Sequence, residues 1–175
     1  RLYVCLLLLI AALLPARSVL HFKTRDIQTD PAERVAAITG ASADGRGHLI
    51  LQFRSRPTAA LIGALEWRGI KVLGDVPENG LLVSIGRPVS VRRLGAQYAG
   101  PIRAGDKISP LIRDAGAYFL VAFHRDADMD RARGTLLRLG LLPVDNPDLH
   151  PRQLMIHLDP EQVPDALAAL SVLDE

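Results

Sequence analysis

Three apolar residues at alternate positions, Leu49, Leu51 and Phe53, return 70 positions later as Phe119, Val121 and Phe123. Apolar residues spaced by two mark a strand with one face buried. Each trio leads into a similar stretch of chain. Ser55 to Thr58 and Arg125 to Asp128 break the first and second strands. Helically spaced apolar residues come next: Ala60, Leu61, Ala64 and Leu65 in one copy, Ala132, Leu136 and Leu139 in the other. Each helix then meets a glycine, Gly69 or Gly140, where a left-handed C-terminal cap belongs. A self-similar period of this length means that one supersecondary unit occurs twice.

The rest of each copy reads as a hairpin and a second helix. Ile70 to Leu73 is a short strand, Pro77-Glu78-Asn79-Gly80 a turn, and Leu81 to Ile85 the returning strand. A helix over Ser90 to Gln97 is expected next, weakened by Gly95, with a strand drawn from Ala99 to Ile108. In the second copy Leu141 to Val144 and Leu154 to Leu158 form the hairpin, joined through Asp145 to Pro151. After Asp159 to Gln162 comes a last helix with Pro164 near its start and Leu167 and Leu170 toward the core. A β-α-β-β-α order completed by one more strand is the ferredoxin-like βαββαβ sandwich. The expected fold class is α+β, with two tandem ferredoxin-like modules over 48–110 and 117–175. The second lacks its last strand, because the sequence reaches Glu175 directly after the helix.

The N-terminus carries a different signal. Leu2 to Leu14 is an apolar run of 13 residues. About 20 are needed to span a bilayer as a helix, so the run suits the core of a secretory signal peptide. Ala16-Arg17-Ser18 supplies the small-x-small triplet for cleavage before Val19. Residues 1–18 are therefore expected to be a signal peptide and the mature chain secreted, with no membrane attachment after cleavage. Cleavage removes Arg1 and Arg17 and no acid, which leaves 19 basic groups against 19 acidic ones out of the original 21 and 19. No broad electrostatic case for nucleic acid survives that balance. The only cysteine, Cys5, goes with the leader, so packing alone must hold the mature chain. Residues 19–47 read as a linker containing a short helix from Asp30 to Ile38, with the Gly-rich stretch Thr39 to Gly47 after it.

The residues that could carry chemistry do not assemble into a known site. Gly40-Ala-Ser42-Ala-Asp44 has Asp where a nucleophile elbow closes on Gly, and no strand leads into it. Asp126, Asp128 and Asp130 start like a calcium loop, but Arg131 replaces the turn glycine and Leu137 the bidentate Glu. They read instead as a solvated helix cap. His48, His124, His150 and His157 show no metal-ligand spacing. Arg87, Arg92 and Arg93, like Arg131, Arg133 and Arg138, read as solvated faces, and Trp67 with Arg68 as a cover over the core edge. Gly45-Arg46-Gly47 lacks the Lys-Ser/Thr of a phosphate loop. No catalytic, cofactor-binding or metal-ligating residue is assigned, and no cofactor is expected. The third strand lacks the aromatic platform of an RNA-binding sheet with the same element order, so no nucleic-acid partner is expected either.

Four phrases together, His48-Leu-Ile-Leu-Gln-Phe53, Gly69-Ile-Lys-Val-Leu73, Val76-Pro-Glu-Asn-Gly-Leu-Leu-Val83 and Asp106-Lys-Ile-Ser-Pro110, resemble the N-terminal region of large secreted bacterial subtilisin-like serine peptidases (subtilases). The resemblance spans about residues 48–175. It implies a non-catalytic, propeptide-like region that assists folding of, or masks, a downstream peptidase domain in cis. The family's catalytic motifs, Asp-Ser/Thr-Gly, His-Gly-Thr and Gly-Thr-Ser, do not occur, so no catalytic residue carries over and the chain itself is expected not to be an enzyme. The segment that would occupy the substrate cleft is also missing. The competing expectation is a stand-alone secreted ferredoxin-like protein-binding or peptidase-inhibitor module.

Overall fold

The computed structural model describes residues 18–21, 25–29, 47–86, 91–114 and 117–173. It is a mixed α+β structure with three antiparallel sheets and, among the described residues, three α-helices. Residues 1–17 of the expected leader, the expected helix over 30–38 and the Gly-rich stretch before Gly47 lie outside the described residues.

The first half is built on a four-stranded sheet, preceded by a hairpin of β1 (Ser18–His21) and β2 (Asp26–Thr29). The strands β3 (Gly47–Phe53), β4 (Ile70–Val76), β5 (Gly80–Ile85) and β6 (Ala96–Pro101) lie in the order β4-β5-β3-β6. Helix α1 (Ala59–Trp67) connects β3 to β4 and packs Leu65, Leu61 and Ile62 on the face formed by Leu49, Leu51, Phe53, Leu81, Val83 and Ile85. Thr58 caps it by accepting from the Leu61 N–H at 3.3 Å, and Gly69 leaves it at φ +79°. The β4–β5 turn places Glu78 and Asn79 at φ +60° and +61°, which is uncommon for residues other than glycine. Three contacts hold it: Gln52 Nε2 donates to the Glu78 carbonyl (3.1 Å), Phe53 N–H to the Asn79 carbonyl (3.1 Å), and Asn79 Nδ2 to the Arg54 carbonyl (3.4 Å).

Two features of this half differ from expectation. All seven residues of β3 are buried, so the alternation does not mark a strand with one wet face. The second face, carrying His48, Ile50 and Gln52, is covered too. The β1–β2 hairpin lays Leu20 and Ile27 against Ile50, although Ser18 is expected to end the signal peptide and the rest of the hairpin to lie in the linker. A strand buried on both faces reads as a continuous apolar run, and Leu49-Ile50-Leu51 is one. The second difference is the helix expected over 90–97. It is a single 3₁₀ turn, Val91–Leu94, ended by Gly95 at φ +77°. That glycine turns the chain directly into β6, which therefore begins at Ala96 and ends at Pro101.

Two 3₁₀ turns, Ala104–Lys107 and Pro110–Asp114, lead to the second half. Here β7 (Tyr118–Ala122), β8 (Pro143–Val144) and β9 (Gln153–His157) lie in the order β7-β9-β8. Helix α2 (Met129–Arg138) connects β7 to β8, and α3 (Val163–Ser171) comes after β9. Asp128 caps α2 through the Asp130 and Arg131 N–H groups, as expected of the acidic series, whereas Asp126 is no solvated cap: its side chain is 5% exposed, because it packs into the junction with His48. Gly140 repeats the left-handed exit of Gly69 at φ +74°. Phe119, Leu136, Leu141, Leu154, Ile156, Leu158 and Ala166 form a separate core. Leu139 is 40% exposed, because it falls at the C-cap, after the last full turn of α2.

Candidate functional site

Where the two halves meet, four polar side chains converge. His48 on β3 stands directly opposite Ser84 on β5, so their side chains share the second face of the first sheet. From the other half, the loop between β7 and α2 brings His124 and Asp126. His48 Nε2 lies 3.1 Å from Asp126 Oδ1, both side chains being only 5% exposed, and the His48 and His124 rings are 4.1 Å apart between centroids. The Ser84 hydroxyl hydrogen-bonds the same carboxylate. Burial alone would raise the Asp126 carboxyl. The bonds from Ser84 and His48, together with the charge of His48, outweigh it and hold the group below the ordinary carboxylate value.

This cluster contains a serine, a histidine and an aspartate, but not in the connectivity of a hydrolase. A nucleophile needs its hydroxyl on the imidazole, with the carboxylate behind the ring. Here the bonded imidazole nitrogen, His48 Nε2, meets the Asp126 carboxylate and not a hydroxyl. Ser84 is also 3% exposed, out of reach of a substrate. The arrangement clamps the halves together. Among the described residues no three His, Cys, Asp or Glu side chains are grouped to hold a metal ion. His150 and His157 lie apart from the cluster and are exposed; the His157 ring meets Tyr118 edge-on at 5.1 Å.

A second tie anchors the hairpin. Arg25 grips Asp106 with both arms of its guanidinium, Nε to Oδ1 at 2.6 Å and Nη2 to Oδ2 at 2.7 Å. Asp106 is 1% exposed at its side chain and also accepts from the Arg103 N–H at 2.9 Å. The hydrogen bond to Asp106, then the carboxylate's charge, raise the Arg25 pKa against the opposing effect of burial. Next to Asp106, Lys107 Nζ donates to the Leu173 carbonyl, which fastens the end of the second half to the connection.

Between these ties runs an open groove of about 720 Å³. One wall is the whole of β7. The other comprises the connection around Ile108, Leu111 and Ile112, the end of α3 with Leu170 and Leu173, and Ile50, Val76 and Leu82 of the first half. Leu111, Tyr118 and Leu120, which line it, are 87%, 60% and 53% exposed, unusual for large apolar side chains gathered in one place.

No site residue is expected from the sequence, and neither tie is visible in it. His48 and Asp126 are 78 positions apart, Arg25 and Asp106 81, and no local spacing announces either pair. The arginines expected on solvated faces are exposed at Arg93, Arg131, Arg133 and Arg138, while Arg87 lies outside the described residues, as do Ser42 and Gly45. Trp67 does not cover the core edge: it is 85% exposed, with the Arg68 guanidinium carbon 5.9 Å from its ring centroid. No protein-family model, curated protein or solved structure matches the chain.

Proposed function

We propose that the chain is the non-catalytic N-terminal pro-region of a secreted subtilisin-like serine endopeptidase, and that its two ferredoxin-like units assist folding of, or mask, the peptidase domain. The observation that carries this reading is the strand order. With β3 as first strand, the order β4-β5-β3-β6, all neighbours antiparallel, is that of a βαββαβ sandwich whose second helix has shrunk to one 3₁₀ turn. The order β7-β9-β8 is the same without the fourth strand. Such an order is compatible with the ferredoxin-like type that the four subtilase-like phrases imply. A subtilase core is a largely parallel sheet whose long-range contacts form slowly. A separately folded partner that binds only native-like states of that core stabilises them by mass action.

Two measurements test the reading. The coding sequence after Glu175 should continue in frame into the three peptidase motifs, and a stop codon there overturns the proposal. Where it continues, the denatured peptidase domain should refold to active enzyme in several-fold higher yield with an equimolar amount of this chain. An unchanged yield, with no inhibition of the folded enzyme, also overturns it.

A further inference from the structure

We infer that the junction of the two halves is a proton-operated latch: it closes on one proton held by the His48–His124 pair, and a second proton parts the halves as the medium turns mildly acidic. The docking of the halves carries this, independently of the reading of the chain as a pro-region. Among the described residues, no buried apolar cluster draws on both sheets. Two clusters belong to the first sheet and its hairpin, and the one around Phe119 and Ile156 to the second. The contact between the sheets therefore depends on His48, Ser84, His124 and Asp126. The bond from Lys107 to the Leu173 carbonyl joins the second half to the connection and not to the first sheet, so it leaves a hinge when the sheets part.

The cluster balances one positive charge. His48 Nε2 meets Asp126 Oδ1 at 3.1 Å with both side chains 5% exposed, so the carboxylate matches a proton on His48. The His124 ring lies 4.1 Å from the His48 ring and is tilted 32° to it. A proton on His124 as well sets two cations against each other over one carboxylate, and a like charge at that range disfavours the second protonation. Neighbouring groups do not relieve it. Ser84, facing from β5, is neutral and already bonds Asp126. Strand β6 carries no charged residue. Lys71, opposite Ser84 on β4, Arg125 on the loop and Arg131 on α2 are exposed cations. Asp128, the other acid of the loop, is exposed and accepts from the Asp130 and Arg131 N–H groups. The loop is also fastened to its own half. Phe123 N–H donates to the Arg152 carbonyl at 2.9 Å, Ala127 N–H to the His124 carbonyl at 3.1 Å, and the Arg152 guanidinium to the Ala127 carbonyl. Relief therefore comes from the loop leaving together with the second half.

Once the halves are apart, each ring takes the ordinary histidine value of about 6.5. Below that pH the open form binds one more proton than the closed form, so the closed-to-open ratio falls about tenfold per pH unit. The latch is at full strength above the ordinary histidine value and is lost as pH falls below it. Asp126, held below its own ordinary value, stays charged throughout that range.

The test uses the full chain and diethyl pyrocarbonate, which acylates neutral imidazole nitrogen and reaches the buried His48 only in the open form. Mass spectrometry of peptides gives the rate at His48 relative to exposed His150, which cancels the effect of pH on the reagent and on an ordinary ring. From about pH 6 to about pH 5 the relative rate should rise about tenfold, with the far-UV circular dichroism unchanged because both cores stay intact. In His124→Gln the relative rate should change by less than about twofold over the same range, because the second proton has no site. Should that variant fail to fold, His124→Phe keeps a ring against His48 and should give the same flat profile. A flat profile in wild type, a tenfold rise in the His124 variants, or a rise that accompanies loss of circular dichroism overturns the inference.

Discussion

Replacing Asp106 by Ala tests how firmly the N-terminal hairpin is tied to the fold. The change removes two charge-assisted bonds from Arg25 and one from the Arg103 N–H, at a side chain 1% exposed. Breaking a buried ion pair costs about 3–5 kcal/mol because it strands the remaining charge. Arg25 is 26% exposed and can recover water, which places the loss at the lower end, about 3 kcal/mol. For a chain of this size that lowers Tm by roughly 6–12 °C. Arg25→Lys keeps the charge but not the two-armed geometry and should fall between. Calorimetry of Arg25→Ala, Asp106→Ala and the double variant completes a cycle whose coupling should be about 2 kcal/mol. A Tm change below about 2 °C for Asp106→Ala, or coupling near zero, would refute the view that this pair fastens the hairpin over Ile50.

Further outcomes rest on the geometry of the junction, the second core and two glycines. Because the folded Asp126 carboxyl lies below its ordinary value, the unfolded chain takes up the proton first as pH falls. The contribution of Asp126 is full above the ordinary carboxylate range and is lost as pH drops through the folded value; urea midpoints from pH 7 to 3 should fall more for wild type than for Asp126→Asn. Leu136→Ala, at a side chain with no exposure in the second core, should cost about 3 kcal/mol by guanidinium titration. Gly140→Ala should cost about 1 kcal/mol through its φ of +74° alone, since a Cβ there meets nothing within 4 Å. Gly134→Ala, inside α2 with only Arg138 Nη1 at 3.5 Å, should gain about 0.5–1 kcal/mol in the same titration.

Elements governed by local chemistry were legible. The trios at 49, 51, 53 and 119, 121, 123 lie on strands or at their ends, Gly69 and Gly140 end helices, Asp128 caps one, and Pro164 opens another. The α+β class is a consequence of them. The features that escaped depend on residues far apart. Ser18 to His21 and Asp26 to Thr29 are too short to announce a hairpin, and only Ile50 across the sheet gives Leu20 and Ile27 somewhere to go. The weak apolar periodicity of 90–97 could not distinguish a helix from one tight turn running into a strand, and pairing of β6 with β3 decided it. At the junction, His48 and His124 read only as histidines without metal-ligand spacing, and Asp126 only as part of the series with Asp128 and Asp130. Their meeting is a product of how the halves dock, which no spacing within either copy encodes.

The covering of the second face of β3 has a consequence for a chain emerging from the ribosome. Residues 18–29 precede β3, so the cover for Ile50 is already outside when Ile50 appears. The partner of His48 comes 78 residues later, about 4–16 s at ordinary rates of translation. Throughout that interval the nascent first half presents His48 and Ser84 to the medium, and both are groups that water can satisfy unaided. The order of synthesis thus shields the sticky part of the surface at once and leaves the wettable part to wait.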